Sequence, residues 1–538
     1  MSDPSADKRI AEQPAEPPAS EDKQSLAAQG SVVAGMTMLS RISGLARDIL
    51  FAYLLGASQY ADMFLVAFRI PNVFRRMFAE GAFNQAFVPV LMRFKSEGHD
   101  QMRGFLAPLL GLFSLTLLVF VALGLIFAEE LVFLFAAGFR NNGDQLQMTA
   151  DLLRITFPYI GFISLTAYAG AVLNAHNHFA VPAVTPVLLN LVLIGAASLA
   201  LAGVTGLQAV VVLAWGVLFA GVVQLAFQVP SLGRLKVIVK PNLKYQHPGI
   251  GRVARLIGPA LFSSSVAQIN ALVNTLLASM LISGSISWIY YADRLLELPV
   301  GLVAVALGTV MLPHLSRMDA VGDTALFNRT LGWGLNVGLM LGLPAAVALY
   351  LLAQGLIATI FLSVPGGQLT AHDARMAGYA LEMFAVALPG FVLVRVLSAA
   401  FYAREDTMTP FRCAAVAVAA NLIGSLATFS WFGHVGLAWA TALSAWTNVF
   451  LLYFYLKRGA VFTLGASMWP LFWRCLLATA VLAATLWWVV GDWLWLAMSS
   501  GVRILHMAAV VICGVVLYLA VLGLAGVRPR DLDHYSAR

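Results

Sequence analysis

Charged side chains interrupt an otherwise apolar stretch of the sequence between Ser40 and Pro89. The charged residues of this stretch are Arg41, Arg47, Asp48, Asp62, Arg69, Arg75, Arg76 and Glu80. An ionised side chain near the centre of a bilayer costs at least about 2.5 kcal/mol on insertion scales, so such residues normally face a bundle interior or a wet cavity. The stretch therefore predicts the lining of a path through a membrane, where charges bind a polar ligand.

The spacing of these charges supports a cavity lining. Arg41 and Asp48 are seven residues apart, which places them on one face of a helix. Asp62, Arg69 and Arg76 step by sevens along a second helix. The charges thus gather in stripes instead of spreading around each helix.

An alternative applies to the end of the stretch. Arg75, Arg76 and Glu80 could belong to a cytoplasmic helix end whose long side chains snorkel to the membrane surface. Arg41, Arg47 and Arg69, in contrast, are flanked by apolar residues on both sides, which favours the cavity.

A second charged cluster lies in the other half of the chain, at Asp293, Arg294 and Glu297. Tyr291-Ala292-Asp293 there echoes Tyr60-Ala61-Asp62, and this echo predicts two related halves, each starting in the same direction across the membrane. Chance resemblance between two helical hairpins competes with that interpretation. A salt bridge internal to one helix likewise competes with a binding role, because Glu297 lies three residues after Arg294 and four after Asp293.

Composition identifies the class of protein. Of 538 residues, 60% are hydrophobic and 11% charged, whereas about a quarter of the residues are charged in soluble proteins. Long apolar runs without strand alternation predict an all-α polytopic membrane protein. The net charge of +7 is dispersed over connections, so no nucleic-acid partner is predicted. The three cysteines lie in apolar runs and are predicted to be packing residues.

Hydropathy predicts fourteen transmembrane helices. They fall near 31–56, 60–92, 104–128, 148–174, 180–202, 207–229, 252–282, 287–315, 328–352, 373–402, 410–432, 435–456, 468–490 and 503–526. Counting Lys and Arg in the tails and in alternate connections, including the adjoining helix ends, gives 21 on the side of the termini against 3 on the other side, namely Arg140, Arg375 and Arg503. The positive-inside rule then predicts that both termini are cytoplasmic. Residues 1–30 have no apolar core of a signal peptide and are predicted to be a disordered cytoplasmic tail.

Motifs of catalysis and cofactor binding are missing from the sequence. It has no phosphate-binding loop, no H-E-x-x-H motif and no nucleophile elbow. His176 and His178 form a close pair, but they lie in a polar connection without an acid or cysteine nearby, so no metal site is predicted. We therefore expect no cofactor and no enzyme activity, with transport driven by gradients, the membrane potential or the substrate itself. An enzyme acting on a lipid diphosphate stays open as an alternative.

Several long motifs resemble the MurJ (MviN) family of lipid II flippases of bacterial peptidoglycan synthesis. They are Met36-Thr37-Met38-Leu39-Ser40-Arg41, Gly44-Leu45-Ala46-Arg47-Asp48, Pro71-Asn72, Arg75-Arg76-Met77-Phe78-Ala79-Glu80-Gly81-Ala82-Phe83, Gln85-Ala86-Phe87-Val88-Pro89 and Ser287-Trp288-Ile289-Tyr290-Tyr291-Ala292-Asp293-Arg294-Leu295. The likeness extends from about residue 30 to the C-terminus.

The resemblance implies the fold of the multidrug/oligosaccharidyl-lipid/polysaccharide exporter superfamily. Two six-helix lobes would surround a central cavity, followed by two C-terminal helices that help to form a groove for the polyprenyl tail. On this basis the expected segments are the N-terminal lobe 31–230, a basic cytoplasmic linker 231–251 and the C-terminal lobe 252–457. The last two predicted helices follow within 468–526, and a cytoplasmic tail covers 527–538.

The resemblance also implies a binding site and its ligand. The family's cavity arginines fall on Arg41, Arg47, Arg75 and Arg294, with supporting charges at Asp48, Asp62, Arg69, Arg76, Glu80, Asp293 and Glu297. Guanidinium groups bind phosphate oxygens through planar, bidentate hydrogen bonds, which suits the diphosphate of lipid II. Some family members are suggested to bind sodium through a carboxylate on their seventh helix. The seventh predicted helix of this chain, 252–282, lacks a carboxylate, so sodium coupling by that route is not expected.

The implied partners are lipid II, membrane lipids, and proteins of cell-wall synthesis and division, in the bacterial inner membrane. Two rivals stay open beside the flippase, and the second belongs to another class of protein. One is an exporter of the same fold for a drug or for another saccharide linked to polyprenyl diphosphate, although a cation exporter should show unpaired carboxylates. The other is a scaffold of the cell-wall machinery without transport of its own.

Overall fold

A computed structural model describes residues 20–141, 143–203, 206–244, 246–459, 468–491 and 493–528 of the chain. Every regular element in these ranges is helical. The first half contains α1 Ser20–Leu55, α2 Gln59–Phe74, a π-helical segment Arg75–Phe83, α3 Asn84–Ser96, α4 His99–Ile126, α5 Ala128–Phe135, a 3-10 segment Ala137–Asn141, α6 Gly143–Thr156, α7 Tyr159–Ala175, α8 Ala180–Leu201 and α9 Leu207–Arg234. The second half contains α10 Pro248–Ser279, α11 Ser285–Val321, α12 Thr324–Leu351, α13 Ala353–Phe361, α14 Ala371–Tyr402, α15 Met408–Arg458, α16 Met468–Val490 and α17 Ser500–Leu524.

These helices accommodate the fourteen predicted spans. Within the described residues, nine helical stretches are long and apolar enough to cross a membrane. One of them, α15, is two helices joined at Gly433, whose φ of 56° and ψ of −134° are not helical. Charges interrupt the apolar character of α1 and of the run from α2 to α3, while α10 and α11 include side chains that the structure does not describe.

The predicted tail, residues 1–30, differs from the structure in one respect. Helix α1 begins at Ser20, so its backbone helix extends into the segment predicted to be disordered. Residues 1–19 and the C-terminal residues 529–538 lie outside the described part of the chain, as does the segment 460–467 before α16.

Packing joins the helices into two groups and a C-terminal pair. In the first half, α8 packs on α1 and α9, and α7 packs on α9. In the second half, α14 packs on α11, α12 and α15. Helix α16 packs on α12 and on α17, which also contacts α13. The two halves meet where α10 packs on the π-helical segment and where α11 contacts α1 and α2.

At two prolines inside helices, a side chain of a neighbouring helix donates to the backbone carbonyl that the proline leaves without a partner. Pro71 in α2 has no N–H, so the carbonyl of Ala67 four residues earlier loses its helical donor. The hydroxyl of Thr156 in α6 donates to that carbonyl at 2.9 Å. Pro344 in α12 similarly frees the carbonyl of Met340, and Tyr518 of α17 donates to it at 2.7 Å. Broken backbone is tolerated in a membrane bundle where neighbours satisfy the freed groups.

The π-helical segment follows Pro71 by four residues and carries the charged end of the stretch predicted to line the path. The segment runs for nine residues, and π-helical turns occur frequently at functional sites. The segment places Arg75 and Arg76 against the cavity between the two halves.

Candidate functional site

A central cavity of about 970 Å³ lies between the two halves. Its walls come from α1, α2, the π-helical segment, α3, α7, α8 and α9 on one side, and from α10, α11 and α14 on the other. Among the described residues, seven arginines line it: Arg41, Arg47, Arg69, Arg75, Arg76, Arg294 and Arg395. The described lining residues include three carboxylates, Asp48, Asp293 and Glu297. The cavity therefore has an excess of positive charge and suits an anion.

Asp48 of α1 is the centre of the charged network. Its side chain is fully buried. Arg47, its neighbour in sequence, directs Nε and Nη2 to Asp48 Oδ1 at 2.9 Å and 2.7 Å. Arg294 of α11 places Nε 2.9 Å from Asp48 Oδ2, an ion pair without the alignment of a hydrogen bond. One carboxylate thus holds two guanidinium groups from different halves of the chain.

Tyr290 connects the same three charged groups. Its hydroxyl donates to Asp48 Oδ1 at 2.7 Å and accepts from Arg47 Nη2 and from Arg294 Nη2, each at 3.3 Å. The Arg294 guanidinium also lies over the Tyr290 ring, 5.1 Å from its centroid. Tyr290 lies in the motif that runs from Ser287 to Leu295, but it is not among the predicted site residues. Its spacing of four residues from Arg294 is the sequence signal that places both side chains on one face of the helix.

Asn190 of α8 fixes the other side of Arg47. Its Oδ1 accepts from Arg47 Nη1 at 2.9 Å, and its Nδ2 donates to the carbonyl of Ser40 and to the hydroxyl of Ser43 at 2.9 Å and 3.0 Å. Sequence reasoning missed Asn190, because a single amide in an apolar helix gives no periodic signal. The guanidinium of Arg47, whose residue is 4% exposed, also lies over the ring of Phe51 and over that of Phe68.

Arg41 contacts the opposite half at a different point. Its Nη1 donates to the backbone carbonyl of Glu297 at 3.0 Å. The guanidinium occupies the space that a side chain on Gly301 would fill, since a Cβ there would lie 1.8 Å from Arg41 Nη1. The carboxylate of Glu297 accepts from Arg294 Nη1 at 2.8 Å instead. Arg41 and Arg294 therefore both bind Glu297, Arg41 through its backbone carbonyl and Arg294 through its carboxylate.

The predicted supporting charges are placed as follows. Arg69 donates to the hydroxyl of Thr275 on α10 at 2.6 Å. Asp293 lines the cavity, next to Arg294 in the sequence. Arg75 and Arg76 line the cavity, and Arg75 lies on a different element from Arg47 and Arg294. Glu80 lies on the π-helical segment, but its side chain is outside the described part of the chain.

Asp62 lies away from the cavity lining, at one closed end of the bundle. Its Oδ2 accepts from the backbone N–H of Gly284 at 2.7 Å, and its Oδ1 accepts from the backbone N–H and the hydroxyl of Ser287 at 2.9 Å and 2.6 Å. The carboxylate therefore satisfies free N–H groups at the start of α11, where the helix dipole favours negative charge. The structure does not bring Asp62 together with the other predicted cavity charges.

Glycines make this closed end tight. Gly284 has φ of +93°, and a Cβ there would lie 2.6 Å from the carbonyl oxygen of Ala57. Gly56 has φ of +61°, and its carbonyl accepts from the hydroxyl of Tyr291 at 2.7 Å. The turn between α1 and α2 thus seals against the start of α11, and the cavity ends there.

Amide side chains form a further part of the cavity wall. Gln224 and Gln228 of α9, four residues apart on one helix face, line the cavity with Thr185 of α8 and Asn174 of α7. Sequence reasoning missed them, although two glutamines at this spacing in an apolar helix are a signal of a shared polar surface. The arrangement as a whole can bind an anion at the arginines and hydrogen-bonding groups at the amides.

Metal ligands do not cluster in the described residues, where no group of three or more His, Cys, Asp or Glu side chains could hold an ion. On α10, Gln268 lines the cavity, and Asn274 donates to the hydroxyl of Thr441 at 3.2 Å.

Comparison with known proteins gives a consistent result. The family model described as lipid II flippase MurJ matches residues 51–507. A protein of Vibrio cholerae named probable lipid II flippase MurJ is 39% identical over 513 residues, covering 94% of this chain and 97% of the relative. A protein of Burkholderia cenocepacia named lipid II flippase MurJ is 38% identical over 501 residues, covering 92% of this chain and 96% of the relative.

Solved structures agree at the level of the fold. A structure titled lipid II flippase MurJ, inward closed conformation, superposes with a TM-score of 0.77 at 27% identity, covering 91% of this chain and 98% of that one. An inward-facing multidrug resistance transporter of the MATE family superposes with a TM-score of 0.63 at 14% identity, covering 80% of this chain. The prediction of a polytopic all-α exporter fold is confirmed.

Proposed function

This chain belongs to the lipid II flippase MurJ family, and from that premise we propose that it moves lipid II across the bacterial inner membrane, from the cytoplasmic to the periplasmic leaflet. It is a multi-pass membrane transporter, and the proposal involves no covalent step. The long isoprenoid tail stays in the lipid phase while the polar head group crosses through the central cavity.

The observation that carries the proposal is the shared carboxylate of Asp48. A single buried negative charge holds Arg47 and Arg294 together, and Glu297 pairs with Arg294 alone. Among the described residues that line the cavity, seven arginines face three carboxylates, so positive charge is in excess. A diphosphate brings at least two further negative charges and several acceptor oxygens in the geometry that guanidinium forks prefer. We assign Arg47, Arg75 and Arg294 to the diphosphate, with Arg41 nearby.

Ligand binding would also strengthen the connection between the two halves and shift their conformational equilibrium. Arg47 belongs to α1 and Arg294 to α11, so an anion bound to both joins the halves more strongly than Asp48 does alone. A ligand shifts a conformational equilibrium by the difference between its affinities for the two states. The occupied cavity therefore favours closure around the head group and then opening at the other end, by alternating access.

Orientation and driving force complete the proposal. We place both termini in the cytoplasm, which puts the closed end at Asp62 and Gly284 on the periplasmic side. For an anion that leaves the negative cytoplasm, the membrane potential contributes about 2.3 kcal/mol per charge per 100 mV in the outward direction, for charge that crosses the field uncompensated.

The test is depletion of this protein in its bacterium, followed by measurement of lipid II with a probe that reaches only the outer leaflet. We expect lipid II to become inaccessible to the probe and to reappear when the wild-type chain is supplied. A strain supplied with Arg47→Ala should remain depleted of accessible lipid II. The matched control is Arg93→Ala, because Arg93 pairs with Glu97 at 3.2 Å on an exposed helix end and should not affect transport.

Accessible lipid II in the depleted strain, with no substitute flippase present, would contradict the assignment. Rescue by Arg47→Ala at normal protein levels would favour a scaffold role, because a scaffold needs the chain but not its cavity.

A further inference from the structure

Three buried polar side chains form one hydrogen-bonded group in the cavity wall, which we call the amide shelf: Thr185, Gln224 and Gln228. Gln224 Nε2 donates to the carbonyl oxygen of Thr185 at 2.8 Å. Gln228 Nε2 donates to the hydroxyl of the same threonine at 2.9 Å. Both glutamines are 1% exposed, and all three residues line the central cavity.

These contacts fix how each glutamine amide is turned. A carbonyl oxygen can only accept, so the group of Gln224 that faces Thr185 must be the amine. The Thr185 hydroxyl lies 3.4 Å from the carbonyl of Val181, to which it donates, and so it accepts from Gln228. With the Thr185 hydroxyl donating to Val181, both amide oxygens point away from Thr185.

The two amide oxygens have no hydrogen-bond donor among the described residues. Both Gln224 Oε1 and Gln228 Oε1 are buried and unpaired. Nearly all buried polar atoms of native proteins have a partner, and an exception calls for a missing water, ion or ligand. An amide oxygen repels phosphate oxygens, so its missing partner is an O–H or N–H donor and not the diphosphate itself.

The position of the shelf relates it to the charged network. Asn190, which holds Arg47, lies five residues after Thr185 on α8, about 7.5 Å along the helix axis. This distance is about the size of one sugar ring. We propose that the amide shelf binds hydroxyl or amide N–H groups of the sugar directly linked to the diphosphate, while the arginines bind the diphosphate. The proposal rests on the proposed function.

A glycine on the neighbouring helix borders the shelf. A Cβ on Gly170 of α7 would lie 3.5 Å from Pro182 and 3.7 Å from Gln228 Nε2, in ordinary contact. Alanine would fit there, whereas a longer side chain at position 170 would take up space beside Gln228. The shelf can therefore be altered from two helices independently.

Binding measurements with purified protein in lipid nanodiscs test the proposal. The probes are farnesyl diphosphate and farnesyl diphosphate that carries the disaccharide head group. The double variant Gln224→Met, Gln228→Met keeps the size of both side chains and removes both amides. We expect it to bind the sugar-bearing probe about tenfold to a hundredfold more weakly than wild type and the bare diphosphate equally well.

Two further variants serve as controls. Gln354→Met removes an amide on α13, outside the cavity lining, and should bind both probes as wild type does. Gly170→Leu should reproduce the selective loss, and it replaces the double variant if the latter does not fold.

The other outcomes of the binding measurements contradict either the shelf proposal or the proposed function. Equal binding of the sugar-bearing probe by wild type and the double variant would overturn the shelf proposal and assign the amide oxygens to ordered water. Weaker binding of both probes would also overturn it, because the shelf would then only support the cavity. Failure of wild type to bind either probe would reject the proposed function together with the shelf.

Discussion

At Asp48 one buried carboxylate faces two guanidinium groups. Removing one partner of a buried ion pair costs about 3–5 kcal/mol, because the other charge stays buried without compensation. Here the loss of Asp48 would remove the carboxylate that pairs with Arg47 and leave Arg294 paired with Glu297. The same reasoning explains why the network is suited to ligand exchange: phosphate oxygens can replace contacts of Asp48 without leaving a guanidinium unpaired.

Arginine-to-lysine variants test whether this network recognises geometry or only charge. Arg47 uses Nε, Nη1 and Nη2 for Asp48, Asn190 and Tyr290, and an ammonium group cannot reach all of these partners from one position. We expect Arg47→Lys to impair complementation of a depleted strain nearly as much as Arg47→Ala. The loss of charged hydrogen bonds should weaken lipid binding about tenfold or more.

Membrane levels of each variant are checked by immunoblot, with Arg93→Lys as the matched control. The double variant Arg47→Ala, Asp48→Ala separates recognition from a purely structural ion pair. A structural pair predicts recovered growth when both charges are removed, whereas diphosphate recognition predicts that the double variant stays inactive. Growth of a strain with lysine at positions 47, 75 and 294 would reject bidentate recognition.

Among the helices, α2 shows how a proline is accommodated by a neighbour. Pro71 leaves the Ala67 carbonyl without its backbone donor, and Thr156 of α6 supplies the missing hydrogen bond. Thr156 is fully buried, so water cannot take its place. The contact holds α2 against α6 about two turns before the π-helical segment that carries Arg75 and Arg76.

Substitution of Thr156 tests this contact. Thr156→Val keeps the shape of the side chain and leaves the Ala67 carbonyl buried and unpaired, which should lower the free energy of unfolding by about 1–3 kcal/mol. A lower thermal melting temperature of the purified protein measures the effect. The control is Thr116→Val on α4, whose exposed hydroxyl bonds a carbonyl of its own helix at 2.9 Å. Equal melting of both variants would show that α2 does not depend on Thr156.

Sequence periodicity could predict the faces of the helices but not the depth at which the cavity ends. Asp62 and Arg69 lie seven residues apart and share a face of α2, as predicted. The cavity reaches Arg69, but the halves close around Asp62, because the start of α11 packs there. Which polar residues meet across helices, such as Asn190 with Arg47 or Gln228 with Thr185, depends on tertiary packing that one-dimensional spacing does not contain.

On the scale of the whole molecule, the orientation in the membrane follows from the Lys and Arg distribution. We expect Ser283→Cys, at an exposed position next to Gly284, to react with a membrane-impermeant thiol reagent on intact spheroplasts. His99→Cys, at the exposed start of α4, should react only after lysis. The background needs replacement of Cys513, which is exposed, whereas Cys413 and Cys475 are buried. The opposite labelling pattern would invert the proposed orientation.

The partners of Asp62 also set a condition on biosynthesis. The residues that bind its carboxylate, Gly284 and Ser287, follow it in the chain by 222 and 225 positions. At about 5–20 residues per second, a ribosome needs roughly 10 to 45 s to reach them. During that interval α2 enters the membrane with an acid whose native donors have not been made. A nascent chain that ends before Gly284 should therefore stay associated with the insertion machinery, and a chain that extends past Ser287 should be released into the lipid.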